Sequence, residues 1–133
     1  GLPHEAVPAL NEFSWGRYEG VPMTHEENHY YTDMLEKWAS GDLDFAIEGG
    51  ESPNLVAKRL EKGIRHILAQ PEETILICMH GRAMRVLLSL LLGYDLRYMD
   101  VFLHQNLGLY LLHQNKMGQF RIEKYNSGDH LKG

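Results

Sequence analysis

One junction constrains the fold of this chain more than any other feature. Thr74-Ile75-Leu76-Ile77-Cys78-Met79 is a largely apolar run that ends in His80-Gly81 and passes without a spacer into Arg82-Ala83-Met84-Arg85-Val86-Leu87-Leu88-Ser89-Leu90-Leu91-Leu92. A strand buried on both faces reads as continuous apolar sequence, and a strand feeding a helix is a building unit of α/β architecture. The pattern predicts a strand over 74–79, a helix near 82–92 closed by Gly93, and His80 at the strand's C-terminal end, where open α/β sheets bind ligands. Free N–H groups and the positive end of the helix dipole meet at that point, so the expected ligand is an anion, a phosphate above all.

The rest of the chain supplies partners for this unit. Residues 1–22 are broken by Pro3, Pro8, Gly16, Gly20 and Pro22 and read as a loop with at most a short strand. Thr24 and Glu27 form a capping box ahead of Tyr31, Met34, Leu35 and Trp38, which recur at helical spacing until Gly41. Ser52-Pro53 opens a second helix with Leu55, Val56, Leu60, Ile64, Ile67 and Leu68 as its stripe, ended by Gln70-Pro71. Leu107 to His113 and Gln119 to Tyr125 read as strands joined by a turn at Asn115-Lys116-Met117-Gly118. The order helix, helix, strand, helix, strand, strand indicates an α/β sandwich.

Composition narrows the partners. At 133 residues and 44% hydrophobic, the chain suits a single domain over 1–133 with a real core. A net charge of −5 and the lack of a Lys/Arg cluster argue against nucleic acid as the main partner. The longest apolar run, Val86 to Leu92, falls short of the roughly twenty residues that span a bilayer. Cys78 is the single cysteine; an intramolecular disulfide is impossible, a cytoplasmic setting is expected, and burial in the strand is expected to leave the thiol inert.

Two residues stand out for chemistry. His80 lies at the strand end, and Glu12 lies among Phe13, Trp15 and Tyr18, aromatic surroundings that suit a carboxyl to proton donation. Each has a plain alternative when taken alone, a surface carboxylate and a structural histidine.

Together with other elements they form a longer pattern. Leu10-x-Glu12 precedes Gly16-x-x-Glu19-Gly20, then Gly50-Glu51-Ser52 with Arg59, then Ile77-x-x-His80-Gly81 with Arg85, then Asn106, then Asn126 with His130-Leu131. In this order and spacing the chain resembles the histidine phosphatase superfamily, the phosphoglycerate mutase-like enzymes that pass a phosphoryl group through a phosphohistidine. The resemblance implies a three-layer α/β/α sandwich of phosphoglycerate mutase-like type and an enzyme acting on a small phosphorylated substrate. It assigns Glu12 as proton donor to the leaving oxygen and then base for water, and His80 as the histidine that stabilises the transferring phosphoryl. Gly81 and Arg82 are implied at the phosphate, although some branches carry Gly or Asn where Arg82 stands. No metal or organic cofactor is implied, because His, Arg and helix-end donors supply the charge stabilisation.

The family pattern opens with a buried strand ending in Arg-His-Gly, whose histidine is the nucleophile. These 133 residues contain Arg-His only at Arg65-His66, followed by Ile67 inside the second helix. The chain therefore resembles the C-terminal two-thirds of such an enzyme, incomplete at its N-terminus. Taken by itself it is expected to turn over phosphate esters poorly, and it is expected to self-associate or exchange strands along the edge left unpaired. A phosphatase fits the loop set and Glu19-Gly20 better than a mutase does. The alternatives are mutase-type phosphoryl transfer and a non-catalytic pseudo-enzyme that binds phosphorylated ligands.

His25-Glu26-Glu27-Asn28-His29 matches the H-E-x-x-H zinc signature. Its place in the first turn of a helix, on the side away from the apolar stripe, argues for a solvated face. His4, His66, His104 and His113 share no spacing and read as solvated or partly packed, and Met79 and Met84 read as core.

Overall fold

The computed structural model describes residues 4–16, 25–105 and 107–131, with the side chains of 25–28 outside the description. Helix α1 (His25–Ala39) follows the expected stripe: Met34 and Trp38 are buried, and Tyr31 and Leu35 pack beside them. Thr24, the expected cap, lies outside the described residues. Gly41, at φ +105°, takes a backbone conformation that suits glycine and turns the chain out of the helix.

Helix α2 (Pro53–Leu68) starts as the sequence dictates, with the Ser52 hydroxyl accepting the Leu55 N–H at 3.2 Å and Pro53 in its first turn. Val56, Leu60, Ile64 and Ile67 are buried, whereas Leu55 and Leu68, expected on the same stripe, are exposed. Helix α3 (Gly81–Leu92) ends on Gly93 in the left-handed conformation at φ 76°. A short 3₁₀ helix, Leu96–Val101, follows. Asp95 caps it by accepting the Arg97 N–H at 3.0 Å, and it buries Leu96 and Met99.

Strands β1 (Leu109–Gln114) and β2 (Phe120–Ser127) pair antiparallel in a two-stranded sheet. Their turn is made by Asn115, whose side-chain oxygen accepts the N–H groups of Met117 and Gln119, both at 2.9 Å. The hairpin of the sequence pattern is present, with each strand shifted by one or two residues.

The expected strand over 74–79 is corrected by the structure: among the described residues it pairs with no other strand. Ile77 and Met79 pack on the core, while Ile75 and Leu76 are exposed, Leu76 at 79%. A strand is defined by its neighbour, and apolar sequence without one stays an open edge. Cys78 is exposed as well, so its expected burial is also corrected, for the same reason.

The core lies between α1, α2, α3 and the 43–47 loop. Phe13, Trp15 and Trp38 stack with centroids 5.3 to 6.5 Å apart, and the Trp38 indole N–H donates to the Phe45 carbonyl at 2.8 Å. This cluster fixes the 10–16 loop against α1, although the loop has almost no regular structure of its own. No helix among the described residues is long and apolar enough to cross a membrane.

Candidate active site

Glu12 and the start of α3, 70 residues apart in sequence, meet in space. Glu12 Oε2 accepts the Arg82 N–H at 3.0 Å, and Oε1 accepts the N–H groups of Ala83 at 2.7 Å and Phe13 at 2.9 Å. The first N–H groups of a helix have no intrahelical partner and carry the positive end of its dipole. The anion held there is in part the protein's own carboxylate. His80 is the backbone cap of α3, its carbonyl accepting the Met84 N–H at 3.0 Å, while its imidazole makes no capping bond and is exposed. The Gly81 N–H is the helix-end donor beside His80 that no described residue engages.

The loop carrying Glu12 is held by α2. Arg59 donates from Nη1 to the carbonyls of Ala9 (2.9 Å) and Asn11 (2.6 Å), and from Nη2 to that of Glu12 (2.9 Å). The same guanidinium grips Glu51 through Nε (2.8 Å) and Nη2 (2.9 Å). Glu51 Oε1 accepts the Ser14 N–H at 2.9 Å, and its backbone N–H donates to the Ser14 carbonyl at 2.9 Å. Hydrogen bonding to Arg59 holds the Glu51 carboxyl below its ordinary value, against a smaller opposing effect of burial. Close backbone approach completes the joint: a Cβ on Gly16, at φ +58°, would meet the Glu48 carbonyl oxygen at 2.2 Å.

His104 forms a wall on the other side. A Cβ on Gly81 would lie 2.7 Å from His104 Cδ2, so the imidazole lies against the helix start only because that position has no side chain. The backbone on either side of His104 is pinned by the hairpin. Leu103 donates its N–H to the Tyr125 hydroxyl at 2.7 Å, and its carbonyl accepts from the Tyr110 hydroxyl. The Gln105 N–H donates to Asn126 Oδ1 at 2.9 Å, and the Gln105 side-chain amide to the Asn126 carbonyl at 2.7 Å. Burial first, and then the Tyr125 hydroxyl, push the Tyr110 phenol above its ordinary value, which keeps it a donor.

Arg82 turns its side chain to Asp100, forming an ion pair in which the guanidinium is largely buried. Arg85 Nε donates to the Phe102 carbonyl at 2.8 Å, tying α3 to the end of the 3₁₀ helix. Of the four site residues expected from the sequence, Glu12, Gly81 and the Arg82 backbone come together at the head of α3, next to His80. Sequence reasoning gave Glu51 and Arg59 no role beyond their place in the family pattern, and took His104 as solvated or partly packed; His104 is exposed, but its place beside Gly81 was not foreseen. The eight-residue spacing of Glu51 and Arg59 across a helix cap was the available signal for the first pair; nothing local marks His104.

The remaining candidates stay apart from this site. His66 is on the exposed side of α2, with Nε2 2.8 Å from Glu5 Oε2. His130 is exposed in a short 3₁₀ turn. His29 of the H-E-x-x-H run is exposed, whereas the side chains of His25 and Glu26, and Tyr18, Glu19, Gly20 and Asn106, lie outside the described residues. Among the described residues no group of three or more His, Cys, Asp or Glu side chains converges as a metal site would require.

Known structures share this fold. An alpha-ribazole phosphatase from Shigella flexneri superimposes with a TM-score of 0.75 at 24% identity, covering 95% of this chain and 62% of that one. A mycobacterial glucosyl-3-phosphoglycerate phosphatase in complex with inorganic phosphate does so at 0.70 and 20%, covering 90% and 62%. The chain thus spans under two-thirds of the length of these structures, and its elements form an incomplete α/β fold relative to theirs. The comparison with curated protein sequences gives no significant match. The model of the histidine phosphatase superfamily (branch 1) matches residues 1–128. With almost every residue from the first loop to the last strand inside that match, this chain belongs to the histidine phosphatase superfamily, branch 1.

Proposed function

We propose that this chain is the acid–base and phosphate-holding part of a phosphoric monoester hydrolase that works through a phosphohistidine, within a single partial domain. The observation that carries the reading is the Glu12 carboxylate held at the head of the helix that His80 opens, 3.0 Å from the Arg82 nitrogen and 2.7 Å from that of Ala83. Oε1 takes two of the three N–H bonds and Oε2 one, so Oε2 keeps a lone pair with which to carry a proton. In the proposed reaction a histidine nucleophile, of the kind found in Arg-His-Gly, takes the phosphoryl from the ester. Glu12 gives its proton to the leaving oxygen and then takes one from the water that attacks the phosphohistidine. Charge on the transferring group's oxygens is met by the His80 imidazole and the Gly81 N–H, which no described residue engages. Arg82 joins them by exchanging Asp100 for the phosphate.

The substrate class is a small phosphorylated molecule, in keeping with the phosphatases that share the fold. Acidic charge disfavours nucleic acid, and self-association along the open 74–79 edge belongs to the same reading. The test uses two preparations. The chain alone, titrated with inorganic phosphate, is expected to shift the NMR signals of His80 and the Gly81 amide without hydrolysing p-nitrophenyl phosphate. The chain with an Arg-His-Gly strand joined ahead of it is expected to hydrolyse that ester, with a loss of about 10²- to 10⁴-fold in Glu12→Gln. Phosphate shifts confined to other residues, or full turnover in Glu12→Gln, would overturn the reading.

A further inference from the structure

Among the described residues neither Glu51 nor Arg59 hydrogen-bonds to the Glu12 side chain or to His80, yet between them they hold five main-chain groups of residues 9–14. The carbonyls of Ala9, Asn11 and Glu12 accept from Arg59, and both the carbonyl and the N–H of Ser14 are bonded to Glu51. The segment's own internal bonds are few: Leu10 donates to the Val7 carbonyl and Asn11 to the Pro8 carbonyl. A loop this poor in local structure has no intrinsic reason to present one carboxylate to two particular helix N–H groups. The required order comes from outside it.

We propose that Glu51 and Arg59 are a positioning pair for the Glu12 carboxylate, acting through the main chain of residues 9–14. The chemistry of the pair fits this role. A guanidinium is planar with five fixed donors, and all of its bonds here are used: two on a carboxylate and three on carbonyls that lie side by side in the loop. A lysine carries the same charge but cannot reach this set of acceptors. The other end of the pair is anchored in α2, whose Ser52 cap and buried Val56 and Leu60 make it a rigid base. A displacement of the loop by about 1 Å would break the bonds from Glu12 to α3, and misplacements of that size cost about 10²-fold in catalysis. The link of this pair to catalysis rests on the reading of Glu12 given above; the positioning itself does not.

The test therefore reads the carboxylate's place directly. A carboxylate acceptor moves an amide proton strongly downfield, so Glu12→Gln is expected to shift the Arg82 and Ala83 amide signals. A double-mutant cycle compares that shift in the native background and in Arg59→Lys. Positioning predicts that in Arg59→Lys the shift caused by Glu12→Gln drops below about half, while a matched core variant, Ile64→Val, keeps it whole although it also loses stability. Glu51→Gln, which retains an acceptor for the Ser14 N–H, carries the same test if Arg59→Lys does not fold. An undiminished shift in a folded Arg59→Lys or Glu51→Gln protein would overturn the proposal, whatever the activity measurements show.

Discussion

At the scale of single residues, Glu51 links the geometry of the site to pH. Its carboxyl is held below the ordinary value of 4.5 chiefly by the Arg59 guanidinium. A carboxylate with a lowered folded value contributes stability that is complete above the unfolded value and is lost as pH falls through the folded one. Acid loosening of the 9–14 loop is therefore expected below about pH 4.5. Glu51→Gln is expected to cost about 1–3 kcal/mol at neutral pH and to flatten the fall in Tm between neutral and acid pH. An equally steep acid fall in the variant would show that other carboxylates govern it.

Among the elements, the joint between the His80 turn and α3 has the least room to change. Gly81 begins the helix, and alanine there would gain less than the roughly 1 kcal/mol it gains in a helix interior. The new methyl would sit 2.7 Å from the His104 ring, on a loop whose flanking residues are tied to Tyr110, Tyr125 and Asn126. The ring has to swing away, because the backbone beneath it is fixed. Gly81→Ala is expected to change stability by less than about 1 kcal/mol, to remove the nuclear Overhauser contact between residue 81 and His104, and to weaken phosphate binding. Retention of that contact would mean that the loop yields instead of the ring.

For the molecule as a whole, the 74–79 segment, unpaired among the described residues, is where the proposed self-association is tested. Unpaired backbone beside exposed Ile75 and Leu76 offers a template for another strand. Self-association is expected in sedimentation equilibrium, and Leu76→Lys is expected to reduce it severalfold, changing monomer stability by no more than about 0.5 kcal/mol because the side chain is already exposed. A monomer at every concentration tested would remove this expectation.

Local chemistry alone determined much of this protein. Ser52-Pro53 started α2, Gly93 ended α3, Asn115 turned the hairpin, and the Met34 and Trp38 stripe faced inward, because caps, turns and apolar periodicity act within a few residues. That Glu12 belongs with the helix His80 opens was suggested only by a pattern spread over the chain, since no local rule joins positions so far apart. Tertiary structure decided the rest. It gave the helix N-terminus to Glu12, bound Arg82 to Asp100, set His104 against Gly81 and made Glu51 and Arg59 the support of a loop with little order of its own. It also left Ile75, Leu76 and Cys78 exposed where apolar sequence pointed to burial. A sequence records which residues prefer to be buried, whereas burial itself depends on whether another element is there to cover them.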